Sequence, residues 1–176
     1  MPLVKGGRIV ADNFTRIEDG APIPNEGAVL VPAARFLADA QELTQRNAPV
    51  GVIWPNDKNV SELAPYLDKL GLIALVFPVY KDGRAYSQAR LLRERYNYRG
   101  EMRAIGQVLR DQFVFLLRAG FDAFDVVKQA DALVFEETAK RYSVFFQPTG
   151  DGRVTVARER VNRLGAQPAR TTRARV

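Results

Sequence analysis

Residues 84–118 carry the densest set of side chains that could bind a ligand. This segment contains eight arginines and three acids, a local charge of about +5, whereas residues 1–83 and 119–150 each sum to about −2. Arginine keeps its proton in proteins, and its planar guanidinium pairs with carboxylate, phosphate or sulfur oxyanions. The charge excess therefore predicts a small-oxyanion site. The alternative is a solvated helix face on which arginines pair with local acids.

Eight residues in this part of the chain are the ligand-binding candidates. Ligands of parallel sheets bind where strands end at their carboxyl edge and loops lead into helices. We expect the candidates to converge there, with Arg84 or Arg90 clamping an anion beside the Ala85 and Tyr86 amides. The candidates are Asp82, Arg84, Tyr86, Ser87, Arg90, Arg103, Arg110 and Asp111. A plainer role stays open for each, such as a turn residue, a core residue or a helix N-terminal acid. No catalytic residue or metal ligand is assigned.

The chain has neither cysteine nor histidine, and this restricts its chemistry more than any motif does. A cysteine nucleophile, a thiol redox pair, a cysteine-ligated haem or iron–sulfur cluster and the usual zinc chemistry are all excluded. Any redox group must be a bound organic cofactor, such as a flavin or a nicotinamide, or belong to a partner. The glycine-rich fingerprints of dinucleotide and P-loop sites are absent as well.

The elements that must position the candidates alternate between strand and helix. Apolar runs predict strands, and apolar residues at helical spacing predict the helices between them. Strands are expected at residues 8–10, 28–31, 50–54, 72–78, 102–105, 124–127 and 143–147, and helices at 35–45, 60–70, 84–96, 108–119 and 129–142. This order predicts an α/β fold with a mostly parallel sheet flanked by helices. Two architectures fit: an open doubly wound sheet, or a half-barrel that stays open or pairs with a second copy as a homodimer.

Composition predicts one domain over residues 1–150 and a basic, disordered tail over 151–176. The tail holds seven arginines and two acids, so it supplies about +5 of the net charge of +6. Because the body is near neutral, a nucleic-acid partner is not expected despite the basic balance. No apolar run is long enough for a membrane span and no signal peptide is evident, which favours a cytoplasmic protein.

Three blocks carry a resemblance to a known family: DGRAYSQARLLRER at 82–95, GEMRAIGQVLRDQ at 100–112 and RAGFDAF at 118–124. Over residues 25–146 the chain resembles an uncharacterised bacterial family whose members are described as oxidoreductases of sulfite reduction and are typically encoded beside sulfite reductase. The resemblance implies a role in assimilatory sulfite or sulfate reduction. That family often has a cysteine before the GFDAF-like block, where this chain has Ala119, so no thiol mechanism carries over.

Three hypotheses follow from the residues and the resemblance together. The first is an accessory protein or oxidoreductase that binds a small oxyanion, or a loosely held flavin or nicotinamide, at the strand carboxyl ends. The second is a noncatalytic docking or regulatory partner of sulfite reductase, or of another sulfur-assimilation enzyme, that uses its arginine face and basic tail. The third is a lyase or isomerase of barrel ancestry. Sulfite reduction itself needs siroheme and an iron–sulfur cluster, so the resemblance implies an assisting role.

Overall fold

The computed structural model of the protein describes residues 2–126, 129–135, 137, 144–149 and 154–165. The strands are β1 Leu3–Lys5, β2 Arg8–Val10, β3 Phe14–Arg16, β4 Ala28–Pro32, β5 Val50–Trp54, β6 Leu70–Phe77, β7 Glu101–Gly106 and β8 Ala123–Asp125. The α-helices are α1 Ala33–Ala38, α2 Ala40–Thr44, α3 Arg84–Arg90, α4 Phe113–Ala119, α5 Gln129–Leu133 and α6 Val156–Gly165. Shorter-pitch 3₁₀ turns cover Val60–Lys69 and Arg110–Gln112, and a wider π-turn, Leu91–Arg95, continues α3.

The strands form one mixed sheet in the order β2-β1-β8-β7-β6-β5-β4-β3. From β3 to β8 each strand pairs in parallel with the next one in sequence, while β1 is antiparallel to β8 and β2 is antiparallel to β1. From β3 to β8, each crossover connection places the next strand on the same side of the previous strand. Right-handed connections that all run in one direction put their helices on one face of the sheet. The fold is therefore a half-barrel flanked by helices. The predicted α/β class is confirmed, and the half-barrel is the architecture adopted.

The two edges of this sheet are consecutive in the chain. Strands β2 and β3 are joined by residues 11–13 alone, and a connection of that length reaches at most about 14 Å. Strands β1 and β2 are joined by a two-residue hairpin at Gly6 and Gly7, whose φ angles of 58° and 81° suit the tight turn that twisted strands require. The sheet therefore curves enough for Val10 at the end of β2 and Phe14 at the start of β3 to lie within about 14 Å of each other.

The strands bury apolar side chains on both faces, as their continuous apolar runs predict. On the outer face, Ile73, Leu75 and Phe77 of β6 join the main core beneath the helices. On the inner face, Leu72 and Ala74 form a smaller core with Leu30 and Ile105, against which Phe14 packs. The inner face is thus already covered within one chain, and a second copy is not needed to bury it.

Several elements differ from the sequence-based expectations. Residues 60–69 form a 3₁₀ helix in place of the expected α-helix, and Pro65, which has no amide hydrogen to donate, lies inside it. Phe145 forms an isolated bridge with Thr155 in place of the expected last strand, and Ser143 lies outside the described residues. Of the helix expected over 129–142, α5 covers the first five residues, and 136 and 138–142 also lie outside the described set.

Part of the segment predicted to be a disordered tail is helical. In α6 the Thr155 hydroxyl accepts a hydrogen bond from the Arg158 amide at 3.4 Å, and Arg163 pairs with Glu159 one turn away at 3.1 Å. A cap and an ion pair at i, i+4 both stabilise a short helix. Residues 151–153 and 166–176 lie outside the described residues, and the division of the chain at residue 150 stays a prediction.

Candidate functional site

Four of the predicted ligand-binding residues lie in two neighbouring loops at the carboxyl edge of the sheet. Arg84 binds Asp82 through Nε at 3.0 Å and Nη2 at 2.6 Å, and Asp82 also accepts the Arg84 amide at 3.2 Å. In the next loop, Arg110 lies 3.6 Å from Asp111, and both side chains are exposed. Asp82 therefore binds the Arg84 amide at the start of α3, and the Tyr86 amide, one of the two expected to bind an anion, donates to the Gly83 carbonyl at 3.0 Å.

The candidates on α3 face different surroundings. Tyr86 packs edge-on against Phe77 with ring centroids 5.3 Å apart, and burial raises its pKa to about 12 although a hydrogen bond with Gln112 partly offsets that shift. Ser87 is exposed, and Arg90 pairs with Glu94 at 3.2 Å on the outer surface of the helix. Tyr86 thus belongs to the wall between sheet and helix, while Arg90 points away from the strand ends.

Arg103 lies on the opposite face of the sheet from the helices. Its neighbours in β7, Met102 and Ala104, enter the outer core, so alternation along the strand directs Arg103 inward. The structure therefore brings Asp82, Arg84, Arg110 and Asp111 to one edge of the sheet. It does not bring Arg90 or Arg103 to that edge, and the ligand-binding role of the eight candidates stays a prediction.

Arg103 is the centre of a charged network on the inner face. Its side chain is 1% exposed and binds both Asp12, at 2.7 and 3.1 Å, and Glu101, at 2.9 and 3.1 Å. Lys5 also binds Glu101, at 2.7 Å, and Arg16 of β3 pairs with Asp125 of β8. Asp125 was not predicted from the sequence. Arg16 thus joins the edge strand β3 to β8, and Arg103 of β7 holds Asp12 in the connection between β2 and β3, so the network ties that connection to the inner face.

Two carboxyl groups of this network have pKa values that are shifted in opposite directions. Burial raises the pKa of Asp125, and the cations of Arg16 and Arg103 offset only part of that effect. Burial also acts on Asp12, but hydrogen bonds from the Arg103 guanidinium and the Phe14 amide outweigh it and lower the pKa. The inner face therefore holds one carboxyl group that resists ionisation near one that is held ionised. The network as a whole contains three cations, Lys5, Arg16 and Arg103, and three acids, Asp12, Glu101 and Asp125.

The π-turn brings Arg93 into the centre of a second polar cluster, on the helix side. The Tyr96 amide donates to the Leu91 carbonyl at 3.1 Å, which is the wider i, i+5 bond of a π-turn. Arg93 then donates to the carbonyls of Tyr98, Gly100 and Gly120 at 2.6, 2.9 and 3.0 Å, and to Asp122 at 2.5 Å. Arg93 is thus a structural residue that fastens the end of α3 to the loop before β8.

Gly120 makes room for Arg93. It ends α4 with a φ of 104°, a left-handed conformation that side chains with a Cβ avoid. A Cβ at this position would lie 2.6 Å from the Arg93 Cγ. The carboxylate of Asp122, in the same motif, also accepts the Met102 amide at 2.9 Å. The Gly-Phe-Asp part of the third sequence block therefore has a structural explanation.

Two depressions flank this cluster on the outer surface, and most of the arginines meet there. The larger one, here called the arginine cavity, has a volume of about 720 Å³. The cavity is lined by Arg93, Glu94, Asn97, Arg99, Leu117, Arg118, Ala119, Gly120, Phe121 and Asp122. The smaller one, the arginine groove, has a volume of about 360 Å³ and is lined by Ser87, Arg90, Leu91, Glu94 and Arg95. Glu94 lines both the arginine cavity and the arginine groove, so the two depressions adjoin.

The arginine cavity and groove together form what we call the arginine surface. Five arginines line it against two acids, and those acids are engaged by Arg90 and Arg93. The surface is therefore positively charged. The sequence count located this excess correctly between residues 84 and 118, but it could not show that the arginines gather beside α3 and α4 instead of at the strand ends.

The described residues contain neither a candidate metal site nor a candidate membrane-spanning helix. Within residues 2–126 and the shorter described stretches after them, no group of three or more acidic, cysteine or histidine side chains is placed to hold a metal ion. In the same part of the chain, no helix is long and apolar enough to cross a membrane.

The fold and the surface define a half-barrel α/β protein with an arginine-lined cavity on its helical side. Residues 51–157 match the model of a family described as Bacterial protein of unknown function (DUF934), and the chain belongs to this family. The matched residues include the whole arginine surface, whereas Lys5, Asp12 and Arg16 of the inner-face network precede them. A comparison with curated proteins gave no match.

Proposed function

We propose that this protein is a noncatalytic accessory of sulfite reduction that docks onto an acidic surface of sulfite reductase, or of a neighbouring enzyme, through the arginine surface. The observation that carries the proposal is the gathering of five arginines and two acids in two adjoining depressions. Arginine is enriched at the centres of protein interfaces, where it combines charge, a planar face and an apolar stem.

The groove has the mixture of groups that a docking site needs. Leu91 is 42% exposed at its centre, and Arg90 and Arg95 flank it. Glu94 is engaged by Arg90, so the charge of Arg95 remains for a partner. A partner carboxylate would pair with these guanidinium groups while an apolar side chain covers Leu91. Electrostatic complementarity of this kind mainly accelerates association and selects the partner.

The chemistry of the chain favours docking over electron transfer by its own side chains. It has no cysteine and no histidine, so it holds no thiol couple and no usual ligand for haem or an iron–sulfur cluster. The link to sulfite reduction comes from the resemblance of the three sequence blocks. Two of these blocks, at 82–95 and 118–124, supply most of the residues that line the arginine surface.

The test is co-purification with sulfite reductase from cells that produce both proteins. We expect the wild-type protein to retain the reductase and the double variant Arg90→Glu/Arg95→Glu to lose it. The matched control is Arg84→Glu/Arg110→Glu, which makes the same charge change on exposed residues at the strand carboxyl edge and should retain the reductase. Equal retention by both variants, or the absence of the reductase from the wild-type eluate, would contradict the proposal.

A further inference from the structure

The arginine cavity combines an open volume with walls that are unusually well fixed. Its volume of about 720 Å³ falls within the range of small-molecule sites. Three irregular pieces of backbone border it: the π-turn, Asn97 with a φ of 54°, and Gly120 with a φ of 104°. Such conformations cluster at functional sites, because the surrounding structure must hold them in place.

The walls are fixed because their polar groups are already satisfied. Arg93 uses its donors on three carbonyls and Asp122, and the last turn of α4 bonds back through the Gly120 and Phe121 amides. The Leu116 and Leu117 carbonyls at the end of α4 therefore have partners.

Arg99 is the cation that remains available in the cavity. It is exposed, and within the part of the chain that the structure describes it has no hydrogen bond or ion pair. Asn97 adds an exposed amide, and the partly exposed Leu117 adds apolar surface. A ligand that suits this lining has a carboxylate or phosphate group for Arg99 and an apolar part for the opposite wall.

We propose that the arginine cavity binds a small organic anion, with Arg99 as the residue that pairs with its charged group. This site occupies the cavity part of the arginine surface, and Arg99 is absent from the lining of the groove that the docking test alters. Loss of docking in the groove variant and loss of anion binding in Arg99→Ala are therefore separate results.

The test uses phenyl phosphate, with benzyl alcohol as its uncharged counterpart, at constant ionic strength. Ligand binding is measured by calorimetry and by the rise in melting temperature. We expect saturable binding of phenyl phosphate to the wild-type protein, weakened about tenfold or more in Arg99→Ala, since a charge-assisted bond is lost. Arg84→Ala, which changes an exposed arginine at the strand carboxyl edge, should bind as the wild type does.

The proposal is overturned if phenyl phosphate does not saturate, if Arg99→Ala binds it equally well, or if benzyl alcohol binds as tightly. A second measurement is local to the cavity. The chain has no cysteine, so Leu117→Cys introduces a single, partly exposed thiol into the cavity wall. Phenyl phosphate should slow the reaction of this thiol with a small methanethiosulfonate reagent, and an unchanged rate at saturating phenyl phosphate would also refute the site.

Discussion

Replacing Gly120 with alanine tests whether Arg93 is the residue that fastens the end of α3 to the loop before β8. The substitution adds one methyl group at a φ of 104°. That methyl carbon would lie 2.6 Å from the Arg93 Cγ and 3.4 Å from its Nε. The added atom therefore strains the backbone and also displaces the guanidinium from its carbonyl partners.

The expected loss of stability has two parts. A left-handed conformation costs a residue with a Cβ roughly 1–2 kcal/mol. Displacing Arg93 removes charged hydrogen bonds, of which each contributes about 1.5–3 kcal/mol. If one such bond is lost, Gly120→Ala lowers the free energy of unfolding by roughly 2.5–5 kcal/mol.

Urea denaturation of two alanine variants separates the two parts. Gly20 has a φ of 81°, but no atom lies within 4 Å of a Cβ built there. Gly20→Ala should therefore lose only the backbone part, about 1–2 kcal/mol. In an Arg93→Ala background the clash is absent, so Gly120→Ala should then cost no more than Gly20→Ala does. Equal losses for the two glycine variants in the wild-type background would refute this role of Arg93.

Three further predictions concern buried polar groups. The pKa of Asp125 is raised in the folded protein, so ionisation of this carboxyl group lowers stability above that pKa. Asp125→Asn should therefore be at least as stable as the wild type at pH 7, as measured by urea unfolding. The difference in stability between the two proteins should disappear below about pH 4, where the carboxyl group is protonated in both the folded and the unfolded state. Arg103→Met should lose about 1.5–3 kcal/mol in the same assay, because Asp12 and Glu101 lose charge-assisted hydrogen bonds while Asp12 remains solvated and Glu101 keeps Lys5. Tyr98→Phe should lose about 1 kcal/mol, since its buried hydroxyl donates to the Leu70 carbonyl at 3.1 Å.

The parallel core of the fold was predictable because its signal is local. Strand β5 has the predicted bounds, Val50–Trp54, and the run at 72–78 marks most of β6. Each is a continuous apolar run, as expected for a strand buried on both faces. Sequence order alone left the doubly wound sheet and the half-barrel open, because nothing local fixes the direction in which each crossover steps.

The functional surfaces were less predictable because they depend on contacts between distant residues. Arg103 could have been separated from the other arginines, since it alternates with the apolar Met102 and Ala104 within one strand. Its partner Asp12 lies 91 residues away, and Arg16 lies 109 residues from Asp125, so no local pattern links them. The π-turn that positions Arg93 has no sequence signature of its own.

The most direct test of the docking proposal is the affinity for purified sulfite reductase, measured by interferometry as a function of ionic strength. We predict that the wild-type protein binds, that binding weakens as salt is raised, and that Arg90→Glu/Arg95→Glu reduces affinity by about tenfold or more at low salt. The variant Arg84→Glu/Arg110→Glu should follow the wild-type curve. No measurable binding by the wild type, or binding insensitive to both salt and the groove variant, would contradict a role for the arginine surface in docking.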